Sequence, residues 1–186
     1  LPSTQRLLAF YRKHSLPIIH VMTGCWGPDY REFPPNFRTC ILDIEHRAGM
    51  SLNYYFGTWD TQIVDELTPR VGEAIVRKRG SSAFATSDID WVLHSWGIKA
   101  MVMTGNGTGG CVWATAFEGS ERGYGIVALS DAIDSPAPPE KQKPAWERLH
   151  SIGQVCTTEE LIADFTRQLE DQSGSTLSMQ EREHAS

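Results

Sequence analysis

The sequence has no apolar run that approaches the ~20 residues of a membrane-spanning helix, so no such helix is expected. It also has no block of Lys and Arg: 17 basic residues are scattered among 23 acidic ones, for a net charge of −6. Nucleic acid and anionic membrane surfaces require a concentrated positive face, and neither partner is predicted. No charged, apolar and small-residue leader pattern opens the chain, which sets the expectation of no secretory signal. Cysteine is scarce. Cys25, Cys40, Cys111 and Cys156 lie far apart, with no Cys-x-x-Cys or His-Cys spacing for zinc and too few for a disulfide scaffold. A cytoplasmic setting follows as the simplest one, with no metal and no cofactor.

What is present suits one globular domain. At 186 residues with 40% hydrophobic and 22% charged content, the chain can bury roughly two thirds of its unfolded surface. The domain is expected over residues 1–171, with a polar segment over 172–186 that is a loose tail or an arm that gains structure only against a partner subunit.

Local patterns give an order of elements. Pro2 to His14 carries Leu7, Leu8, Phe10 and Tyr11 at helical spacing, and Pro17 to Met22 reads as an apolar strand. Gly27, Pro28, Pro34 and Pro35 make the next segment irregular. Its Trp26, Tyr30 and Phe33 could line a pocket or pack the loop down, and Arg31 and Arg38 could meet a substrate carboxylate or solvent. Thr39 to His46 is predicted as a short helix and Gly57 to Leu67 as a turn into another. Glu73 to Arg77 reads as a strand with Lys78 at its end. Ser87 to Trp96 reads as a helix capped by Ser87, with Ile89, Val92, Leu93 and Trp96 on one face and Gly97 as its stop.

From Ile98 to Asp131 the pattern is strand, glycine-rich turn, helix, strand. A right-handed crossover places the two strands parallel, and their continuous apolar character fits a sheet covered on both faces. The prolines after Asp131 predict a surface loop, Ala145 to Ile152 a helix, and Thr157 with Glu160 a capping box for a last helix. Strands alternating with helices give an α/β fold with a mainly parallel, three-layer sheet.

The glycine-rich turn allows two readings. Gly105-x-Gly107-x-x-Gly110 between strand and helix, with Asp131 about twenty residues on, is the local pattern of a dinucleotide site. Alternatively, Cys111 stands where the turn becomes a helix, facing unpaired N–H groups and the positive dipole end, which favour negative charge on sulfur. Read this way, Gly105-x-x-Thr108-x-x-Cys111-Val112 followed by Ala114-Thr115-Ala116 resembles the isochorismatase-like family of cysteine hydrolases. Ile75-Val76-Arg77-Lys78 and Ser82-Ala83-Phe84 look like the family's lysine strand and following turn. Asp88 to Leu93, Gly97-Ile98 and Gly123-Tyr124 through Asp131-Ala132 fall where similar family elements fall, as does Gly57-Thr58-Trp59-Asp60 before the lysine strand. Thr23 to Arg38 looks like the substrate loop of the ureidoacrylate, biuret and N-carbamoylsarcosine amidohydrolase branch.

The resemblance implies a Rossmann-like hydrolase in which Cys111 attacks a small non-peptide amide of ureido or carbamoyl type and forms a thioester. It implies that Lys78 holds the thiolate and that backbone N–H groups of Gly107 and Cys111 receive the oxyanion. It further implies a cis peptide at Asn106-Gly107, substrate contacts from Trp26, Tyr30, Arg31 and Phe84, and a homodimer or homotetramer. Relatives that bind zinc do so after the second strand, where this chain reads His20-Val21-Met22-Thr23-Gly24 without a metal pair. His20 is read as an ordinary core histidine, with a Cys111–His20 dyad as a remote option. The family's catalytic aspartate ends a first strand ahead of the first helix, and no matching Asp stands in these residues. That strand is central, and without it two neighbouring strands would be left unpaired. An N-terminal segment carrying both is therefore expected, and without it a catalytically inactive relative acting as a binding or assembly module.

Overall fold

The fold is that of a computed structural model, which describes residues 1–135 and 137–183, with side chains through residue 170. Helix α1 (Pro2–Lys13) leads into strand β1 (Ile19–Thr23), and α2 (Pro35–Ala48) follows the irregular loop. Two 3-10 turns (Trp59–Thr61 and Asp65–Leu67) precede β2 (Ala74–Lys78). After β2 come α3 (Ala83–Thr86), α4 (Ile89–Ser95), β3 (Ala100–Asn106), a π-helical turn (Thr108–Val112) and α5 (Trp113–Glu121). The chain then forms β4 (Gly125–Asp134), α6 (Pro139–Ile152), β5 (Gln154–Cys156) and α7 (Thr158–Glu183).

All strand pairs are parallel, as the apolar strands and intervening helices required. Among the described residues the strands fall into two sheets. β1 pairs with β2 from Ile19↔Ala74 to Thr23↔Lys78, while β3, β4 and β5 form a separate sheet. Two cavities of about 280 and 300 Å³ lie where the halves face one another, each lined by Ile19 and Val21 of β1 and by Val102 and Thr104 of β3. Leu7 and Tyr11 of α1 border one cavity and Ile89 and Leu93 of α4 the other. The facing edges of β1 and β3 have no ladder partner among the described residues.

The main core joins Val76, Phe84, Ile89, Leu93, Met101, Ile126 and Leu149 from both halves. A second cluster of Cys25, Tyr30, Phe33 and Ile41 packs the loop after β1 onto α2. Between α1 and the start of β2, Glu73 accepts from Arg12 at 2.6 and 2.9 Å and lies 2.7 Å from His20 Nε2.

Several expectations need correction. α2 starts at Pro35, because proline tolerates the first helical turn, and it ends at Gly49 in the left-handed region with φ 65°. Gly57 to Leu67 forms only 3-10 turns: the Thr58 hydroxyl donates to the Asn53 and Tyr55 carbonyls and favours a tight loop over a helix. α4 starts at Ile89, though Ser87 Oγ does accept from the Ile89 N–H, and Trp96 is 41% exposed rather than core. The proline-rich stretch after Asp131 enters α6 at Pro139, with Pro144 inside the helix. The backbone of α7 runs on to Glu183 where a loose tail was expected, and residues 184–186 lie outside the described residues. The capping box is present: the Thr157 N–H donates to Glu160 Oε2 at 2.7 Å and the Glu160 N–H to Thr157 Oγ1 at 3.2 Å.

Candidate active site

Alternation along β2 turns Val76 and Lys78 inward and leaves Ile75 and Arg77 exposed. Lys78 is only 4% exposed, and its ammonium donates to the Gly80 carbonyl at 2.6 Å and to Cys111 Sγ at 3.1 Å. Burying an ammonium is costly unless its donors are used, so the carbonyl and the sulfur account for its position. Among the described residues no carboxylate forms an ion pair with Lys78.

The turn that carries Cys111 is built by glycine and by contacts to β4. Gly107 has φ 89°, a region glycine enters without penalty, and its N–H donates to the Asp134 carbonyl at 2.7 Å. The fully buried Thr108 directs its hydroxyl to the same carbonyl. A Cβ on Gly107 would stand 3.4 Å from the Cys111 nitrogen. The π-helical turn breaks at Gly110 (φ −113°, ψ −107°) and α5 follows at Trp113, so the thiol sits at the beginning of a helix. The turn after β2 is tied to α5, since the Ala83 N–H donates to Thr115 Oγ1 at 3.1 Å and Ser82 Oγ donates to the Glu118 carboxylate. Lys78 and Cys111, 33 positions apart, are held together by these contacts.

Two expectations about the turn do not hold. No described peptide bond is cis, so Asn106-Gly107 is trans. β3 stays paired through Asn106↔Asp134 and the positive φ of Gly107 reverses the chain, which removes the need for a bond costing ~3 kcal/mol. The Gly107 N–H is used by Asp134 and is withdrawn as an oxyanion donor.

The expected substrate residues are engaged in contacts with other groups. Tyr30 is 2% exposed, and its hydroxyl donates to Glu45 at 2.7 Å and accepts from the Tyr54 N–H. Phe84 is a core residue stacked on Tyr124. Arg31 points to solvent and pairs with Asp29 at 2.6 Å. Trp26 carries Arg77 and Arg79 against its ring. In each case residue type foretold a large or charged side chain but not its direction. Tyr54, unnoticed in the sequence, borders the site: burial foremost, then the charges of Cys111 and Asp60, push its hydroxyl above the usual range. His20 is engaged with Glu73, which accounts for it without a dyad. Asp131 accepts from the Thr158 N–H and hydroxyl at 2.8 and 2.9 Å and so caps α7, which leaves the dinucleotide reading without its ribose acid. No group of three His, Cys, Asp or Glu side chains suited to a metal occurs among the described residues.

Parallel strands ending in a buried ammonium, beside a thiol at a strand-to-helix turn, define a class of α/β protein with a paired thiol and lysine. Residues 1–160 match the model of the isochorismatase domain, and the chain belongs to the isochorismatase family. It is 31% identical over 154 residues to the ureidoacrylate amidohydrolase RutB of Methylorubrum extorquens, covering 79% of this chain and 62% of that protein. With RutB of Pseudomonas savastanoi pv. phaseolicola it is 38% identical over 161 residues, 79% of this chain and 65% of the relative. The chain thus spans a little under two thirds of these relatives' length. An isochorismatase-like hydrolase from Alkaliphilus metalliredigens superposes with a TM-score of 0.71 at 26% identity, covering 88% of this chain and 82% of that one.

Proposed function

We propose that this hydrolase-family chain cleaves a C–N bond of a small non-peptide amide of ureido or carbamoyl type, without a cofactor, through a Cys111 thioester. The observation that carries the reading is the buried contact of 3.1 Å between Lys78 Nζ and Cys111 Sγ. The ammonium holds the sulfur as a thiolate, and the thiolate adds to the amide carbonyl. The Cys111 N–H at the start of the helix receives the oxyanion. Collapse of the tetrahedral adduct breaks the C–N bond, the amine leaves with a proton, and water then cleaves the thioester to regenerate the thiol. In this reading the proton comes from the aspartate implied by the resemblance. The 31% and 38% identities to ureidoacrylate amidohydrolases support the substrate class. The proposal extends to a homo-oligomer in the cytoplasm, supported by Trp59 and Trp91 at 84% and 73% exposure and by four free thiols.

The test is ammonia release from ureido and carbamoyl compounds, with intact mass of the protein during turnover. The expected result is an acyl adduct on Cys111 and no release from Cys111→Ser. Undiminished turnover by Cys111→Ser would overturn the proposal. Among the described residues no carboxylate pairs with Lys78, which favours a second reading, an inactive binding module that would release no ammonia from any amide.

A further inference from the structure

The outward face of β2 carries a second cluster that the Cys111 chemistry does not use. Arg77 Cζ lies 5.8 Å from the Trp26 ring centre and 5.4 Å from that of Phe56, and Arg79 Cζ lies 5.6 Å from Trp26. Trp26 is 57% exposed and meets Phe56 edge-on at 5.1 Å. Trp26, Arg77 and Arg79 border an open groove of about 660 Å³, completed by Ile75, Ala85, Thr86, Ser87 and Asp88.

The charges in this groove are unbalanced. Arg6, Arg12, Arg31, Arg47, Arg122 and Arg167 all pair with carboxylates. Arg77 and Arg79 have no such partner among the described residues, although the chain carries a net charge of −6. Asp88 stands in the groove wall without forming an ion pair with either. Arg79 spends one N–H on the Thr86 carbonyl. The nearby hydroxyls are committed: Thr86 Oγ1 donates to the Ser82 carbonyl and Ser87 Oγ to the Ala83 carbonyl. Stacking on an indole satisfies the flat faces of the guanidiniums but leaves their N–H edges unfilled, and those edges match carboxylate and phosphate oxygens in pairs. Two cations on one ring also repel, and an anion between them would relieve that repulsion.

We propose that Trp26, Arg77 and Arg79 form a binding site for a small dianionic oxyanion ligand, a phosphate ester or a dicarboxylate, on the face of β2 opposite Lys78. Each guanidinium edge donates to the anion, and the Trp26 ring supports the ligand's body. The site is independent of the thiol.

Tryptophan emission and titration calorimetry test this with inorganic phosphate and with succinate, each at constant ionic strength, using acetate as the monoanion control. A saturable response is expected to one of the two dianions and not to acetate. Tighter phosphate binding marks the ligand as a phosphoryl compound, and tighter succinate binding as a dicarboxylate. Trp26→Phe should remove the emission change. Arg77→Gln and Arg79→Gln should each weaken binding tenfold or more in the calorimeter, where no reporter ring is needed. Cys111→Ala should bind as the parent does, which separates this site from the proposed reaction. No saturable heat with either dianion, an equal response to acetate, or binding unchanged in the double arginine variant would overturn the proposal.

Discussion

Arg12 grips Glu73 with a two-pronged bond, Nε to Oε1 at 2.6 Å and Nη2 to Oε2 at 2.9 Å, and so fastens α1 to the segment that begins β2. The Arg12 hydrogen bond is the main cause that lowers the Glu73 carboxyl to about 2. Burial opposes the shift, and the Arg70 N–H and His20 add to it.

The sign of the pH dependence follows. An unfolded Glu titrates near ~4.3, so the ionised pair stabilises the fold above that pH, and the stabilisation is lost as pH falls toward about 2. The loss should be on the order of 2–3 kcal/mol. Urea unfolding at pH 7, 5 and 3 should show it for the parent, whereas Glu73→Gln should be less stable at pH 7 by about 3 kcal/mol and lose less over that acid window, where Glu45 and Asp131, also held low, still contribute. An identical slope in the variant would assign the acid sensitivity to other groups.

Lys78 separates stability from chemistry. Lys78→Met keeps the length of the side chain and removes a buried ammonium that has no carboxylate partner among the described residues, which relieves its desolvation cost. Its melting temperature should hold or rise while ammonia release falls by about a hundredfold or more. A variant that retains parental turnover would show that the ammonium has no part in the reaction.

Two glycines should respond differently to the same added methyl. At Gly153 a Cβ would meet the Ile126 carbonyl oxygen at 2.4 Å and Ile126 Cβ at 2.8 Å, in a sheet that cannot yield. At Gly119 the nearest atom is the flexible end of Met101, also at 2.4 Å. Gly153→Ala should cost about 3 kcal/mol, and Gly119→Ala clearly less. Thermal melts of the pair measure the difference, and equal losses would contradict it.

The Thr157–Glu160 box offers a smaller, cleaner test. Thr157→Ala removes the hydroxyl that accepts from the Glu160 N–H and should cost about 1 kcal/mol. Glu160→Gln should lose less, since its side-chain oxygen still accepts from the Thr157 N–H. Denaturant midpoints decide the order.

What was legible in the sequence was what short-range rules and ordered motifs can carry. Parallel strands followed from apolar runs split by helices, and the meeting of Lys78 with Cys111 followed from motifs in family order. Direction was not legible: Tyr30 and Phe84 are aromatic at the right places, yet one hydroxyl is spent on Glu45 and one ring on the core. The Gly107 N–H also could not be assigned, because its acceptor, Asp134, lies on another strand. Prolines misled at Pro139 because the first turn of a helix needs no N–H from them. β5 is three residues long and exists through its pairing with β4, too short for a periodic signal.

The divided sheet has a consequence for how the molecule comes apart. A continuous ladder couples every strand to the next, but among the described residues β1–β2 and β3–β4–β5 share no ladder and meet through helices and side-chain packing. Opening one half therefore breaks no backbone hydrogen bond between strands of the other. Amide exchange should sort into two tiers, with the Ile19–Thr23 and Ala74–Lys78 amides exchanging as one unit and those of Ala100–Asn106 and Gly125–Asp134 as another. The thiol and its lysine sit on opposite sides of that division, so the Lys78–Cys111 contact exists only while both units are closed together.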